Sequence, residues 1–322
     1  MKAIVFHKYG APDVLKLEEV EKPVPRDNEV LIKILAATVT AGDCEMRRFD
    51  FPLWLWLILR LYIGLFKPRI KILGQELAGE IEAIGKDVTG FKVGDQIFAP
   101  TEMSLGAYTE YICLPDHKAI VLKPVNMSFE EAATLPTGGL NALHFLEKAN
   151  ISSGQSILIN GAGGSIGTYA IQIAKARGAE VTAVDRSDKL EVLQSIGADM
   201  VIDYKQVDFT KGGKNYDVIL DIVGIASISG SLKSLKPNGL LIIGNPRPSK
   251  VLWGLWASRI GNKKVINAVA PYKKENLITL KKMAEAGTIK AVIDKSYALG
   301  EMVEAHRYVE TGGKTGHVVI RV

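Results

Sequence analysis

The chain is predicted to be an α/β protein in which a doubly wound parallel sheet is inserted into a β-barrel-like unit. Three observations carry that expectation. Between residues 126 and 271 near-continuous apolar runs alternate with helical segments, the pattern of a parallel sheet buried on both faces. Residues 1–125 read instead as short strands punctuated by Gly and Pro. A helix and a strand pattern within 272–322 return the chain to the first domain, which makes that domain discontinuous. A length of 322 residues also suggests two domains, at roughly 150 residues each.

The strands of the first domain are KAIVFHKYG, LKLEEVEKP, NEVLIKILAATV, GEIEAIGKDV, KVGDQIFA, AYTEYICL and AIVLKP. After Pro124 the rhythm changes. SILIN leads to a helix near 165–177, and EVTAVD to a helix near 188–196. MVIDY, DVILDIVG with a helix after it, GLLIIG and KVINAVA complete the alternation. ENLITLKKMAEAG then reads as a helix and GHVVIRV as a closing strand. No repeat or low-complexity tract interrupts the chain.

Apolar residues make up 47% and charged residues 23%, which suits a globular protein with a large core. The net charge of +5 is a small excess, and the Lys pairs at 263–264, 273–274 and 281–282 read as solvated faces rather than a nucleic-acid surface. Two cysteines, Cys44 and Cys113, can build neither a disulfide framework nor a thiolate zinc lobe. MKAIVFHKYG alternates like a strand and lacks the regions of a signal peptide, so the expectation is a cytoplasmic protein.

One stretch stands apart. FPLWLWLILRLYIGLF (51–66) is short and carries Arg60 near its middle, whereas a membrane span needs ~20 apolar residues. Three readings remain for it: extra core or a subunit interface, a lid that receives a hydrophobic substrate, or a segment that skims a membrane surface with Arg60, Lys67, Arg69 and Lys71 at the head groups.

The motif richest in chemistry is SILINGAGGSIGTYAIQIAKARGAEVTAVD. A strand runs into Gly161, Gly163, Gly164, Ser165, Ile166 and Gly167, which open a helix, and Asp185 ends the next strand. The first glycine permits the turn, the second lets backbone approach a pyrophosphate, and the third lets helix and strand pack closely. The helix N-terminus offers N–H groups and positive dipole to the phosphates. Strand, loop, helix, strand and acid in this order predict a dinucleotide site. Asp185 suits the ribose hydroxyls of NADH, whereas Arg186, Ser187, Lys189 and Tyr204 offer donors and charge for the 2′-phosphate of NADPH.

With these motifs in view, the chain resembles the medium-chain dehydrogenase/reductases, and among them the zinc-independent quinone oxidoreductases. AATVTAGD, ILGQELAGEIEAIGKDVTGFKVGDQIFA, GAYTEYICLP, EEAATLPTGGLNAL, SIGADMVIDY, YDVILDIVG and GKTGHVVI carry the likeness together with the glycine loop. The resemblance implies a GroES-like catalytic domain (1–125 and 272–322) and a Rossmann domain (126–271). It implies further cofactor contacts at Thr137, Asn141, Val223, Gly224, Gly244 and Asn245, and pairing of two copies through KVINAVA. Zinc enzymes of this superfamily ligate metal where this chain has Thr40 and Gln75, and a catalytic zinc needs three thiolate, imidazole or carboxylate ligands. The expectation is therefore no zinc.

Without a Lewis acid a plain ketone is hard to reduce, but hydride can reach a quinone or an α,β-unsaturated carbonyl if donors stabilise the resulting oxyanion. Thr40, Tyr62 and Tyr108 are the candidate catalytic donors, and each tyrosine also reads as a core or rim residue. His7, His117, His144, His306 and His317 fall in no catalytic motif and read as structural, and Cys44 as a buried small residue. The functional expectation is NADPH-dependent reduction of a hydrophobic quinone or enone, with NADH left open by Asp185. The alternative class is a nucleotide-binding scaffold without useful turnover.

Overall fold

The computed structural model describes residues 1–51, 56–58, 60–61, 64–245, 262–267 and 270–322. Tyr62, one of the candidate donors, lies outside the described residues. Two compact units form, one of Met1–Thr137, Tyr272–Gly287 and Ala291–Val322, the other of Gly138–Pro271 with Thr288–Lys290.

The first unit is built on antiparallel pairing. Strands β1 (Lys2–Phe6) and β2 (Leu15–Glu19) form a two-stranded ribbon. β3 (Glu29–Val39) is the hub of the larger sheet. It pairs with β4 (Glu76–Ile84), with β6 (Tyr111–Pro115) and with the closing strand β15 (His317–Arg321). β5 (Gln96–Pro100), β7 (Val121–Leu122) and β14 (Ile293–Ala298) complete seven strands in the order β14-β15-β3-β4-β5-β7, with β6 beside β3. The eleven-residue β3 can serve three partners because it is long enough for β6 (at Glu29–Lys33) and β15 (at Ala36–Val39) to share one edge while β4 takes the other, and Val30, Ile32, Ile34, Ala37 and Val39 all enter the core with Phe6, Leu77 and Tyr108.

The expected boundary at 125 moves to Thr137 in the structure. Residues 126–137 stay with the first unit because polar bonds hold them there. Asn126 donates to the Ala284 carbonyl at 3.0 Å, and Ser296 donates to Glu130 at 2.7 Å. The Thr137 N–H donates to Glu76 at 2.6 Å. Three helices of this unit had no counterpart in the sequence reading: Ala41–Arg48, Phe129–Ala132 and Met302–Glu310.

Among the described residues, the second unit forms a six-stranded parallel sheet. Its strands are β8 (Ser156–Asn160), β9 (Glu180–Asp185), β10 (Met200–Asp203), β11 (Tyr216–Asp221), β12 (Leu235–Ile243) and β13 (Lys264–Asn267). They lie in the order β10-β9-β8-β11-β12-β13, so the strand order reverses between β8 and β11. SILIN is buried at all five positions, as a strand covered on both faces must be. The helix Ser165–Ala176 buries eight consecutive residues, Gly167 to Ala174. Among the described residues, no helix is long and apolar enough to cross a membrane.

Candidate active site

In doubly wound sheets ligands bind beyond the carboxyl ends of the strands, at the point where the order reverses. In the second unit that point is made of Asn160 and Asp221, which end β8 and β11. The Asn160 amide donates to Asp221 Oδ1 at 2.8 Å, and the same oxygen accepts the Gly224 N–H at 3.0 Å. Gly244 N–H donates to the Asp221 carbonyl at 3.0 Å. Asp221, which the sequence reading missed, thus ties Gly224 and Gly244 to the end of the sheet.

The glycine loop hangs from the next strand. Gly161 and Ala162 both donate backbone hydrogens to the Val184 carbonyl, at 3.1 and 3.2 Å. Gly161 has φ +83°, and a Cβ there would come within 2.5 Å of Val223 Cγ2. A Cβ on Gly167 would lie 2.4 Å from the Ala162 carbonyl oxygen, so helix and loop touch backbone to backbone. The helix starts at Ser165 and Ile166 with Gly164 as N-cap, which brings no capping side chain to the first turn. That cradle, with a dipole end above it, fits a dinucleotide pyrophosphate.

Asp185 does more than end its strand. It is 7% exposed, and its Oδ2 accepts the Gly163 N–H at 2.7 Å. Its Oδ1 accepts the Arg186 N–H at 2.9 Å and lies 3.3 Å from Lys189 Nζ. Lys189 is itself 5% exposed, its stem lying close to Gly163. Arg186 turns away and pairs with Asp188 through two bonds of 3.0 Å, while Ser187 opens a 3₁₀ turn. Tyr204 follows β10, half exposed, and donates its N–H to the Asp185 carbonyl at 3.2 Å. Asn141 stands in the first turn of the helix Leu140–Ala149, and Asn245 follows Gly244, its carbonyl close against Gly224.

The first unit holds a separate buried polar cluster. Thr40 is the N-cap of the helix Ala41–Arg48 in a capping box with Asp43. Its hydroxyl donates to Asp43 Oδ2 at 2.6 Å and accepts from the Gln75 amide at 3.2 Å. Asp43 also accepts the Gly74 N–H at 3.1 Å. Burial pushes the Asp43 carboxyl above its ordinary range, against the Thr40 and Gly74 hydrogen bonds that favour its charge.

Glu76 lies beside them, wholly buried, hydrogen-bonded to the Thr38 hydroxyl and to the Thr137 N–H. Desolvation pushes its carboxyl up to about 7, opposed by the Thr38 and Thr137 bonds and assisted by the charge of Asp43. Both acids lie in the TAGD and GQE segments, where no local pattern marks either as part of a site.

Tyr108 requires a correction. It is fully buried, its hydroxyl donates to the Thr38 carbonyl at 3.3 Å, and its ring meets His306 edge-on. That places it in the core rather than at a substrate. His306 and His317 are buried and neutral, each pushed down to about 3 chiefly by desolvation. Cys44 lies 3.3 Å from His306 Nδ1, and burial pushes its thiol up to about 12, which disfavours the thiolate.

The donor set at Thr40 and Gln75 is a hydroxyl and an amide. A catalytic zinc takes thiolate, imidazole and carboxylate ligands. Among the described residues no three of His, Cys, Asp or Glu converge. These residues do not fit that metal.

Comparison with known proteins gives the family. Residues 26–124 match the alcohol dehydrogenase GroES-like domain, and residues 196–320 match the zinc-binding dehydrogenase family. A 2-methylene-furan-3-one reductase of Solanum lycopersicum is 33% identical over 99% of this chain and 79% of its own length. The chloroplastic NADPH-dependent alkenal/one oxidoreductase of Arabidopsis thaliana is 32% identical over the same shares. The quinone oxidoreductase from Coxiella burnetii superposes with a TM-score of 0.90 at 29% identity, covering 100% of this chain and 99% of that one. The chain belongs to the quinone oxidoreductase-like family of the medium-chain dehydrogenase/reductases.

Proposed function

We propose that the protein is a zinc-independent, NADPH-dependent reductase of hydrophobic quinones or α,β-unsaturated carbonyls. The observation that carries this reading is the hydroxyl and amide at Thr40 and Gln75, where a metal-dependent relative would need zinc ligands. Relatives named for a methylene-furanone, an alkenal/one and a quinone support the acceptor class.

The bound nicotinamide supplies a hydride. The chain's own residues bind and orient. Gly161–Gly167 cradle the pyrophosphate, and Gly224, Gly244 and Asn245 line the strand ends beyond it. In the first unit, Glu76 fixes the backbone of Thr137, and Asp43 fixes Thr40. Thr40 already donates its proton to Asp43, so it serves as the acceptor that aims Gln75. One amide hydrogen of Gln75 goes to Thr40, and the second is a donor of the kind an oxyanion needs.

The cofactor reading rests on Asp185. An acid that favours NADH presents its carboxylate to the ribose. Here the carboxylate accepts from Gly163 and Arg186 and is neutralised by Lys189, so it acts as a strut of the loop. Lys189 and Tyr204 then favour a 2′-phosphate. The test is cofactor dissociation measured by fluorescence for the native chain and for Tyr204→Phe, which removes one donor and leaves the Asp185–Lys189 pair intact. NADPH is expected to weaken by roughly tenfold or more, the value of a charge-assisted hydrogen bond, and NADH by much less. Equal weakening of both cofactors would sink the NADPH preference.

The edge position of β13 supports pairing of two copies through KVINAVA. Light scattering on the purified protein tests it, and a monomer at micromolar concentration counts against it.

A further inference from the structure

Among the described residues of the apolar stretch that begins at Phe51, some are packed against the protein and others are bare. Phe51 and Trp56 pack against the core of the first unit. The Arg60 guanidinium stacks over Phe49, Tyr9 and Trp56, at 4.0, 4.3 and 4.9 Å from the ring centres. Tyr9 donates its hydroxyl to the Gly64 carbonyl at 2.9 Å. These contacts fix Phe51, Trp56, Arg60 and Gly64.

Its other described side chains point outward. Leu57, Ile58, Leu61, Leu65 and Phe66 are between 40% and 86% exposed, all within ten residues. The expectation that the stretch is extra core fails for these five. A patch of this kind on a folded surface marks an interaction site.

The charges around it select the partner. Residues 51–71 contain no Asp or Glu at all. Lys67, Arg69 and Lys71 follow the apolar side chains directly and are exposed. Asp50, at the border, is offset by Arg48 at 3.7 Å. Bulky apolar side chains beside a cluster of basic ones, without acids, match an anionic lipid surface, where apolar groups enter the acyl boundary and cations meet the phosphates. A second protein copy carries the same positive cluster and would be repelled.

We propose that the surface formed by Leu57, Ile58, Leu61, Leu65 and Phe66 with Lys67, Arg69 and Lys71 docks reversibly on anionic membranes. The inference stands on exposure and charge and does not depend on the reductase reading.

The experiment is flotation of the purified full-length protein with phosphatidylcholine vesicles, with and without phosphatidylglycerol, at low and high salt. Flotation is expected with the anionic vesicles at low salt and a steep loss at high salt, because screening weakens surface charge. Replacing Lys67, Arg69 and Lys71 by Gln is expected to reduce partitioning by roughly hundredfold, at about fivefold per charge removed. A Leu57→Glu, Phe66→Glu double variant is expected to abolish it. Thermal unfolding of each variant checks that the fold persists. The proposal is overturned by absence of flotation at low salt, or by flotation that the double variant leaves intact. It is also overturned if native protein is a dimer that the double variant turns into a monomer without any vesicle binding. Loss of acceptor affinity in that variant, with no vesicle binding by the native chain, would likewise overturn it and make the surface a substrate lid.

Discussion

Gly167→Ala is expected to lose about a hundredfold in NADPH-dependent turnover and about 2–3 kcal/mol of stability, the costs of a ~1 Å misplacement and of overpacking. The added methyl would stand 2.4 Å from the Ala162 carbonyl oxygen and 2.5 Å from that of Gly161. Both belong to the backbone of residues whose N–H groups are hydrogen-bonded to Val184 of β9, so neither can swing aside as a side chain would. The helix must back away from the loop, and its N-terminal N–H groups retreat from the phosphates. Gly163→Ala is the informative control. Its methyl meets the Lys189 stem at 2.5 Å and the Asp185 carboxylate at 2.9 Å, which are side-chain atoms that can change rotamer where backbone cannot. It should lose far less stability while still weakening NADPH. Denaturant unfolding and cofactor titration of both variants measure the difference. Equal stability loss in the two would show that helix–loop contact is not the limiting feature.

Glu76→Gln is expected to change how stability depends on pH. Burial holds the Glu76 carboxyl up at about 7, against an ordinary value of 4.5. The folded chain therefore keeps a proton that the unfolded chain releases. Native stability is complete below about pH 4.5, falls as pH rises through 7, and levels off above it. The gap corresponds to about 3 kcal/mol at ~1.4 kcal/mol per pH unit. Glutamine mimics the protonated acid. Its oxygen can accept the Thr137 N–H, and its amide can donate to the Thr38 hydroxyl. The variant should thus match the native chain near pH 4.5 and exceed it by up to that amount at pH 8. Denaturant titrations at both pH values test this, and parallel losses in the two proteins would mean that Glu76 is ionised throughout.

How much of this could be read in the sequence varies from site to site. The nucleotide domain was legible because its signals are local. Apolar strands, the glycine loop and Asp185 follow one another within thirty residues, and the structure sets them in the order they predict. The role of Asp185 was only half legible. An acid four residues before Lys189 could have suggested an ion pair, but whether that pair turns toward Gly163 depends on the 3₁₀ turn between them.

The first unit was harder, because its contacts join distant segments. Thr38, Glu76 and Thr137 meet across separations of 38 and 61 residues, and no local pattern announces that. Tyr108 looked like a donor because a phenol can be one, whereas the barrel closes over it completely. Two signals were present and could have been used. TAGD is a capping box and marks the helix at Thr40. Met302, Ala305, His306 and Val309 fall at helical spacing and all face the core.

The most direct measurement is cofactor oxidation by chelator-treated protein, with NADPH and NADH in parallel against a quinone, a long-chain enone and a plain ketone. The account predicts turnover of the quinone or the enone, none of the ketone, and faster consumption of NADPH. Ketone reduction that chelation removes and zinc restores would contradict it, as would binding of both cofactors with consumption of neither.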